Sequence, residues 1–199
     1  FRKTPPGNGA WLMKNSYGTN FADNNGTHGS GYVWLSYYDP NICDIIAVEF
    51  DNKDAYSNLY AYDGDHTVSS GTGKKDAHTF MNVYKSAAYG GKNTEKIDGV
   101  MAYLDADTTY GVTIYLNPVI EDGKLVGYSG KSGTVTGKSD YDGFYTIDTQ
   151  SLTTYVVNDC TYAIVITTDK IDAIGTGSDY QEIGQCYAGK DLDSLVDIK

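Results

Sequence analysis

Oxygen-bearing side chains supply most of the candidate chemistry in this sequence. Carboxylates recur as Asp-x-Asp at Asp63/Asp65, Asp105/Asp107, Asp140/Asp142 and Asp191/Asp193. Such pairs on Gly-rich loops suit Ca2+, which takes roughly six to eight oxygen ligands in flexible geometry. None of them continues into an EF-hand loop, and each also has the chemistry of an ordinary turn. The expectation is a structural calcium at most, on Asp63, Asp65, Asp105 and Asp107, with no cofactor required. Sulfur and imidazole are sparse. His28, His66 and His78 have no ligand spacing, although His66 follows Asp63-Gly64-Asp65, where a cation or sugar site would include it. Cys43, Cys160 and Cys186 form no C-x-x-C, so a structural zinc is not expected. Cys160 and Cys186 lie in apolar, strand-like contexts that fit either a disulfide or two free buried thiols. Four Gly-x-Gly pairs, at Gly7/Gly9, Gly29/Gly31, Gly71/Gly73 and Gly175/Gly177, lack the third glycine of a dinucleotide fingerprint.

The elements that must position these residues read as short strands. Runs at Leu59–Tyr62, Thr79–Tyr84, Lys96–Leu104, Gly111–Leu116, Phe144–Thr149, Thr153–Val157 and Tyr162–Thr167 alternate with turn chemistry such as E-D-G-K and D-Y-D-G. No segment sustains a capped helical period. The spacing predicts a two-sheet β-sandwich, with Tyr145–Asp148 and Ala163–Ile166 as adjacent inner-face strands. Nineteen tyrosines against five phenylalanines suit half-exposed strands and wet binding faces. The formal net charge of −11 argues against nucleic-acid or anionic-membrane partners, and no run has the length of a membrane span.

Ahead of the sandwich, Ala10–Met13 and Tyr32–Tyr38 flank a loop of Asn, Asp, Gly and Ser, the pattern of a long-looped hairpin. Its segment W-L-M-K-N-S-Y-G-T-N-F, with the G-Y strand that follows, resembles the K-N-S-W-G segment of papain-family cysteine peptidases. The resemblance implies that Asn15 orients the catalytic histidine and that Tyr17, in place of the family's tryptophan, covers that contact. The physical logic is that a thiol nucleophile needs a base, and the base needs a neighbour to fix its ring and tautomer. By itself Asn15 also reads as a turn former. In papain-like chains the cysteine and histidine precede this asparagine, yet the fourteen residues before Asn15 contain neither. The chain is therefore expected to be the C-terminal part of a larger peptidase, incapable of catalysis alone. Cys43 stands in the wrong chain order to be the nucleophile. No signal peptide is read at an internal start of this kind, and its lack says nothing about secretion.

Pro40-Asn41 marks a turn, and Ile45–Phe50 reads as a strand leading away from the hairpin. The boundary is placed near Cys43: residues 1–43 belong to the papain-like peptidase domain and residues 44–199 to the sandwich. The marks A-V-E-F-D (Ala47–Asp51), N-L-Y-A-Y-D-G (Asn58–Gly64), N-V-Y-K (Asn82–Lys85) and I-G-Q-C-Y (Ile183–Tyr187) resemble the lectin-like domain that follows the hairpin in some bacterial papain-like peptidases. The implied fold is mainly β: a lectin-like or jelly-roll sandwich preceded by the peptidase hairpin. The implied function is peptide-bond hydrolysis by a secreted or cell-surface enzyme. Its expected partners are the portion that carries Cys and His, a peptide substrate, and a glycan or cell-wall ligand. The alternative is a non-enzymatic sandwich that binds glycan or cell wall.

Overall fold

Period-two alternation of aromatic and β-branched residues becomes fourteen strands, and no α-helix forms among the described residues. The computed structural model describes residues 4–18, 31–42, 45–48, 56–62, 72, 74–175 and 182–198. They fall in two compact units, Phe1–Asp51 and Asn52–Lys199. Among the described residues no helix is long and apolar enough to cross a membrane.

In the first unit, β1 (Ala10–Lys14) and β2 (Tyr32–Ser36) pair antiparallel, as the sequence predicts, with Trp11 opposite Leu35, Leu12 opposite Trp34 and Met13 opposite Val33. Successive side chains alternate between faces. One face therefore carries Trp11, Met13, Val33 and Leu35, the other Ala10, Leu12, Tyr32 and Trp34 together with Lys14 and Ser36 at its ends. The first face is wholly apolar and the second mostly so. That pattern belongs to strands covered on two sides, and a lone two-stranded hairpin is marginal in water. At the hairpin's entry Gly9 has φ +122°, and an added Cβ would run into the Tyr37 ring. This ring packs edge-on against Trp11 at 4.7 Å.

The second unit is built on a six-stranded antiparallel sheet. Its strands are β3 (Thr79–Lys85), β6 (Thr109–Leu116), β9 (Gly130–Lys138), β12 (Thr161–Thr168), β13 (Cys186–Gly189) and β14 (Leu195–Asp197), in the order β14-β13-β3-β12-β6-β9. Two pairs make the opposing layer. β5 (Gly99–Leu104) pairs with β10 (Gly143–Asp148), and β4 (Thr94–Lys96) pairs with β11 (Tyr155–Val157). Phe80, Val112, Ile114, Ile164 and Ile166 from the large sheet meet Val100, Ala102, Leu104, Ile147 and Val156 from the other layer. The next residues along the same strands point the other way. Met81, Tyr115, Ala163 and Val165 pack under Leu195 and the hairpin of β7 (Val119–Glu121) and β8 (Lys124–Gly127). Burial on both faces explains why β12 reads A-I-V-I without a polar break. The β7–β8 turn places Asp122 at φ 47° and Gly123 at φ 72°, the two positive dihedrals that an Asp-Gly hairpin turn requires.

Several strand expectations are corrected. Residues 45–48 of the Ile45–Phe50 run form no strand, and its last two residues lie outside the described set. Leu59–Tyr62 forms none either, and side chains rather than ladder bonds hold it. Lys96–Leu104 is two strands, because at Ile97 and Asp98 the backbone changes partners. Ile97 N–H donates to the Thr154 carbonyl, and the Asp98 carbonyl accepts from Thr149 N–H. Tyr145–Asp148 and Ala163–Ile166 meet across the core from opposite layers and are not neighbours in one sheet. The nine-residue β9, G-K-S-G-T-V-T-G-K, escapes sequence reading because its composition is that of a loop. It is the edge of the large sheet, where one partner suffices and polar, Lys-bearing strands are favoured.

Candidate functional site

Two places collect chemistry-bearing residues, one in each unit. In the hairpin unit Asn15 directly follows β1. Its backbone N–H donates to Gly31 O at 2.9 Å, and its side-chain Nδ2 donates to the same carbonyl at 2.6 Å. Its Oδ1 accepts the Tyr17 N–H at 2.6 Å, an Asx turn. The turn-forming use of Asn15 is thus realised, and it also fixes the amide. Nδ2 is held inward on Gly31, while Oδ1 keeps a second lone pair with which to accept another donor. Tyr17, two residues on, is 81% exposed.

Of the expected calcium ligands, Asp63 and Asp65 lie outside the described residues, as do His28, His66 and Cys43. Asp107 takes a 2.9 Å hydrogen bond from Lys138 Nζ, which holds its carboxyl below the usual range. The Asp105 backbone carbonyl accepts from Ser139 Oγ, and Asp142 Oδ1 accepts the Ala106 N–H at 2.6 Å. Two Asp-x-Asp loops therefore meet at one end of the sandwich. Among the described residues no group of three or more His, Cys, Asp or Glu gathers to hold a metal. His78 is part of the frame, its Nδ1 3.1 Å from Thr168 O. Cys160 and Cys186 are not joined to each other. Cys160 bonds across to Ser86, whereas Cys186 stands opposite Asn82. Four residues of strand separate those positions by about 13 Å, beyond the reach of a disulfide.

The second place was not read from the sequence. A cavity of ≈ 820 Å3 opens between the large sheet and the β4–β5 layer. Its floor is apolar, with Phe80, Ile164, Ile166 and Val100. One wall is the segment Tyr56–Ala61, and Glu95 of β4 is the hub that holds it. Glu95 accepts from Tyr60 Oη at 2.6 Å, Ser86 Oγ at 2.5 Å and Asn58 Nδ2 at 2.7 Å. Tyr60 Oη in turn accepts the Ala87 N–H at 2.8 Å. Behind this hub Tyr60, Tyr84 and Tyr162 pack ring against ring with centroids 5.6–6.2 Å apart, and Tyr62 stacks on Tyr84 at 4.8 Å. Burial raises the Tyr60, Tyr62 and Tyr162 phenols, so they remain neutral donors. The signal available in the sequence was the period-two spacing of Asn58, Tyr60 and Tyr62 and of Asn82 and Tyr84. Nothing local marked Glu95.

Burial alone would raise the Glu95 carboxyl, but the donors Ser86, Tyr60 and Asn58 outweigh it and the net shift is downward. A lowered folded pKa contributes stability that is complete above the unfolded value, near 4.5, and is lost as pH falls through the folded one. We expect the melting temperature of the native chain to fall more steeply below that pH than that of Glu95→Gln. Parallel melting curves for the two proteins across this range would refute the hub.

The second unit is thus a two-layer antiparallel sandwich with tyrosines gathered beside its cavity. Residues 59–181 match the lectin like domain family, and the chain belongs to that family. In fold the chain is similar to the cysteine protease and lectin-like domains of Cwp84, a surface layer associated protein of Clostridium difficile. That match has a TM-score of 0.60 at 20% identity and covers 98% of this chain and 43% of the other. A second structure of the clostridial cysteine protease Cwp84, after propeptide cleavage, matches at TM-score 0.60 and 21% identity, over 98% and 48% of the two chains. The present chain thus spans less than half the length of either. No curated protein matches it in sequence.

Proposed function

We propose that this chain is the C-terminal part of a secreted or cell-surface papain-like cysteine peptidase, with residues 1–43 completing the peptidase domain and the lectin-like unit as its accessory domain. The observation that carries the proposal is the hairpin. Its two faces are largely apolar, with Trp11, Leu12, Met13 and Trp34 each about half exposed, and at its end Asn15 is anchored through Nδ2 with Oδ1 able to accept. Exposed patches of this kind mark a surface that a partner covers. The partner is the portion that carries the cysteine and the histidine. The similar chains are more than twice as long as this one, and one is named for a cysteine protease domain beside its lectin-like domain.

In the assembled enzyme the thiolate adds to the peptide carbonyl, and the imidazolium gives its proton to the leaving amine. Water then hydrolyses the thioester and restores the thiol. Asn15 Oδ1 accepts the imidazole N–H that is not used in proton transfer and so fixes the tautomer, while Tyr17 shields that bond from water. The reaction needs no cofactor. Calcium on the acidic loops would serve stability alone.

Reconstitution tests the proposal. Alone, the chain is expected to hydrolyse no fluorogenic peptide and to resist thiol-directed active-site probes. Mixed with a separately produced N-terminal portion carrying Cys and His, it should restore hydrolysis. Rapid stoichiometric labelling of Cys43 in the isolated chain would sink the reading, because a low-pKa thiol would then be present.

A further inference from the structure

The second layer of the sandwich is narrower than the sheet that it covers. Six strands make the large sheet, whereas the opposing layer is one ribbon, β4 and β5 running against β11 and β10. On its β10–β11 side this ribbon reaches over β9, where a Cβ added to Gly133 would touch Leu152. Its β4–β5 side borders the cavity, whose floor includes Phe80, Asn82 and Ile198. Two pairs of bonds fix how the backbone of β5 is turned. Asp105 N–H donates to the Ala173 carbonyl and Gly175 N–H to the Tyr103 carbonyl, each at 3.1 Å, while the Asp98 carbonyl accepts Thr149 N–H on the opposite side. Successive residues of a strand aim their peptide groups to opposite sides. The N–H and C=O of Gly99 and Met101 therefore point away from β10, and among the described residues no backbone group pairs with them there. An unpaired edge of this kind is a template for another strand. The chain already uses it so at Leu104, which bridges antiparallel to Ile174.

The cavity wraps around this edge. Val100 and Ala102 line it from the inner face of the ribbon, Met101 and Phe144 from the outer. A strand laid along the edge meets both sets, because its own side chains alternate between the two faces. The Tyr56–Ala61 segment bounds the cavity, which suits one strand better than the broad edge of a second copy. We propose that the β4–β5 edge takes up an extended peptide by strand addition, with main-chain bonds to Gly99 and Met101. The peptide's inward side chains lie over Phe80 and beside Ala102 and are apolar. At the β4 end they meet Glu95, which stands opposite the buried Val156 and so turns inward. A carboxylate has about four acceptor sites, of which Tyr60, Ser86 and Asn58 use three. Lys96 turns to the other face and is held by Asp98 at 2.8 Å. An inward lysine or arginine of the peptide supplies the fourth donor, whereas an acidic residue would be repelled by Glu95 on a chain of net charge −11. The partner is thus a β-branched, alternating segment with one basic residue on its inner face.

The full chain, without any peptidase portion, is titrated with acetylated and amidated hexapeptides of alternating Val and Thr in which one Lys moves through the six positions. The cavity lies wholly within the Asn52–Lys199 unit, so the result is independent of the peptidase reading. At least one peptide is expected to bind, and its counterpart with Glu in place of Lys to bind about tenfold more weakly. N-methylation of the bound peptide at one set of alternate residues should weaken it by about tenfold, and at the other set should not, since only one set donates to the edge. Met101→Pro removes an N–H that faces the open side, where proline is tolerated. Its melting temperature should stay close to that of the native chain while peptide affinity falls by about tenfold. Should this variant fail to fold, the N-methylated peptides decide the question by themselves. No binding by any of the six, equal effects of the two N-methylated sets, or unchanged binding to a folded Met101→Pro chain would overturn the proposal. So would self-association of the native chain that Met101→Pro abolishes, which would give the edge to a second copy.

Discussion

Asn15→Ala in the assembled peptidase is expected to lower kcat by about 100-fold, the lower range of what a correctly held acid–base group supplies, with KM nearly unchanged. Asn15 touches no substrate in the proposed arrangement, so ground-state binding has no reason to move. Its carbonyl acts through the histidine. Without it the imidazole samples rings and tautomers that cannot take the thiol proton, and the thiolate–imidazolium pair loses its neutral neighbour. The same substitution removes the side-chain bonds to Gly31 O and from Tyr17 N–H. Those exposed or half-exposed bonds together contribute about 1–3 kcal/mol of hairpin stability. The two roles separate experimentally. A structural loss lowers the melting temperature and the fraction of active enzyme, and leaves the pH profile of the remaining activity in place. Loss of the orienting contact moves the acid limb of the profile while the enzyme stays folded, and Asn15→Asp, which keeps an acceptor, should recover part of the rate. A kcat that falls only in step with the folded fraction would remove the orienting role.

Leu104→Ala should destabilise the lectin-like unit more than any change on its surface. Leu104 is fully buried at the end of β5, facing the large sheet, and its backbone bridges to Ile174. Truncating a buried leucine removes transfer free energy and leaves a cavity that the layers close only in part, a cost of about 2–5 kcal/mol. For a unit of this size that corresponds to a drop of roughly 5–15 °C in melting temperature. The control is Leu59→Ala. Leu59 is 79% exposed, and its truncation should stay within about 0.5 kcal/mol. Equal effects for the two leucines would mean that the β5 layer does not pack as described.

Local signals carried much of the sandwich. Alternation at Thr79–Tyr84 and Gly111–Leu116, the A-I-V-I run, and turns such as Asp122-Gly123 are encoded in neighbouring residues, so strand positions and the all-β class were legible. The pairing of β1 with β2 was legible for the same reason, since both strands lie within a short stretch of chain. Layer membership was not. Tyr145–Asp148 and Ala163–Ile166 carry the same alternation whether they are neighbours in one sheet or opposed across a core, and only the packing of Ile147 against the large sheet decides. Strand β9 was hidden because an edge strand needs one partner and little apolar content, and its register comes from β6. The Glu95 hub lay furthest from view. Its donors come from Asn58, Tyr60 and Ser86, up to 37 residues away. A carboxylate that accepts three such bonds has no local sequence signature, because the bonds exist only after the segment Tyr56–Ala61 has been laid against β4. The chain alone determines which residues can form strands and turns. The cavity, its tyrosines and its acceptor are set by which strands the core brings face to face, because burying apolar surface rewards contact between residues however far apart they stand in sequence.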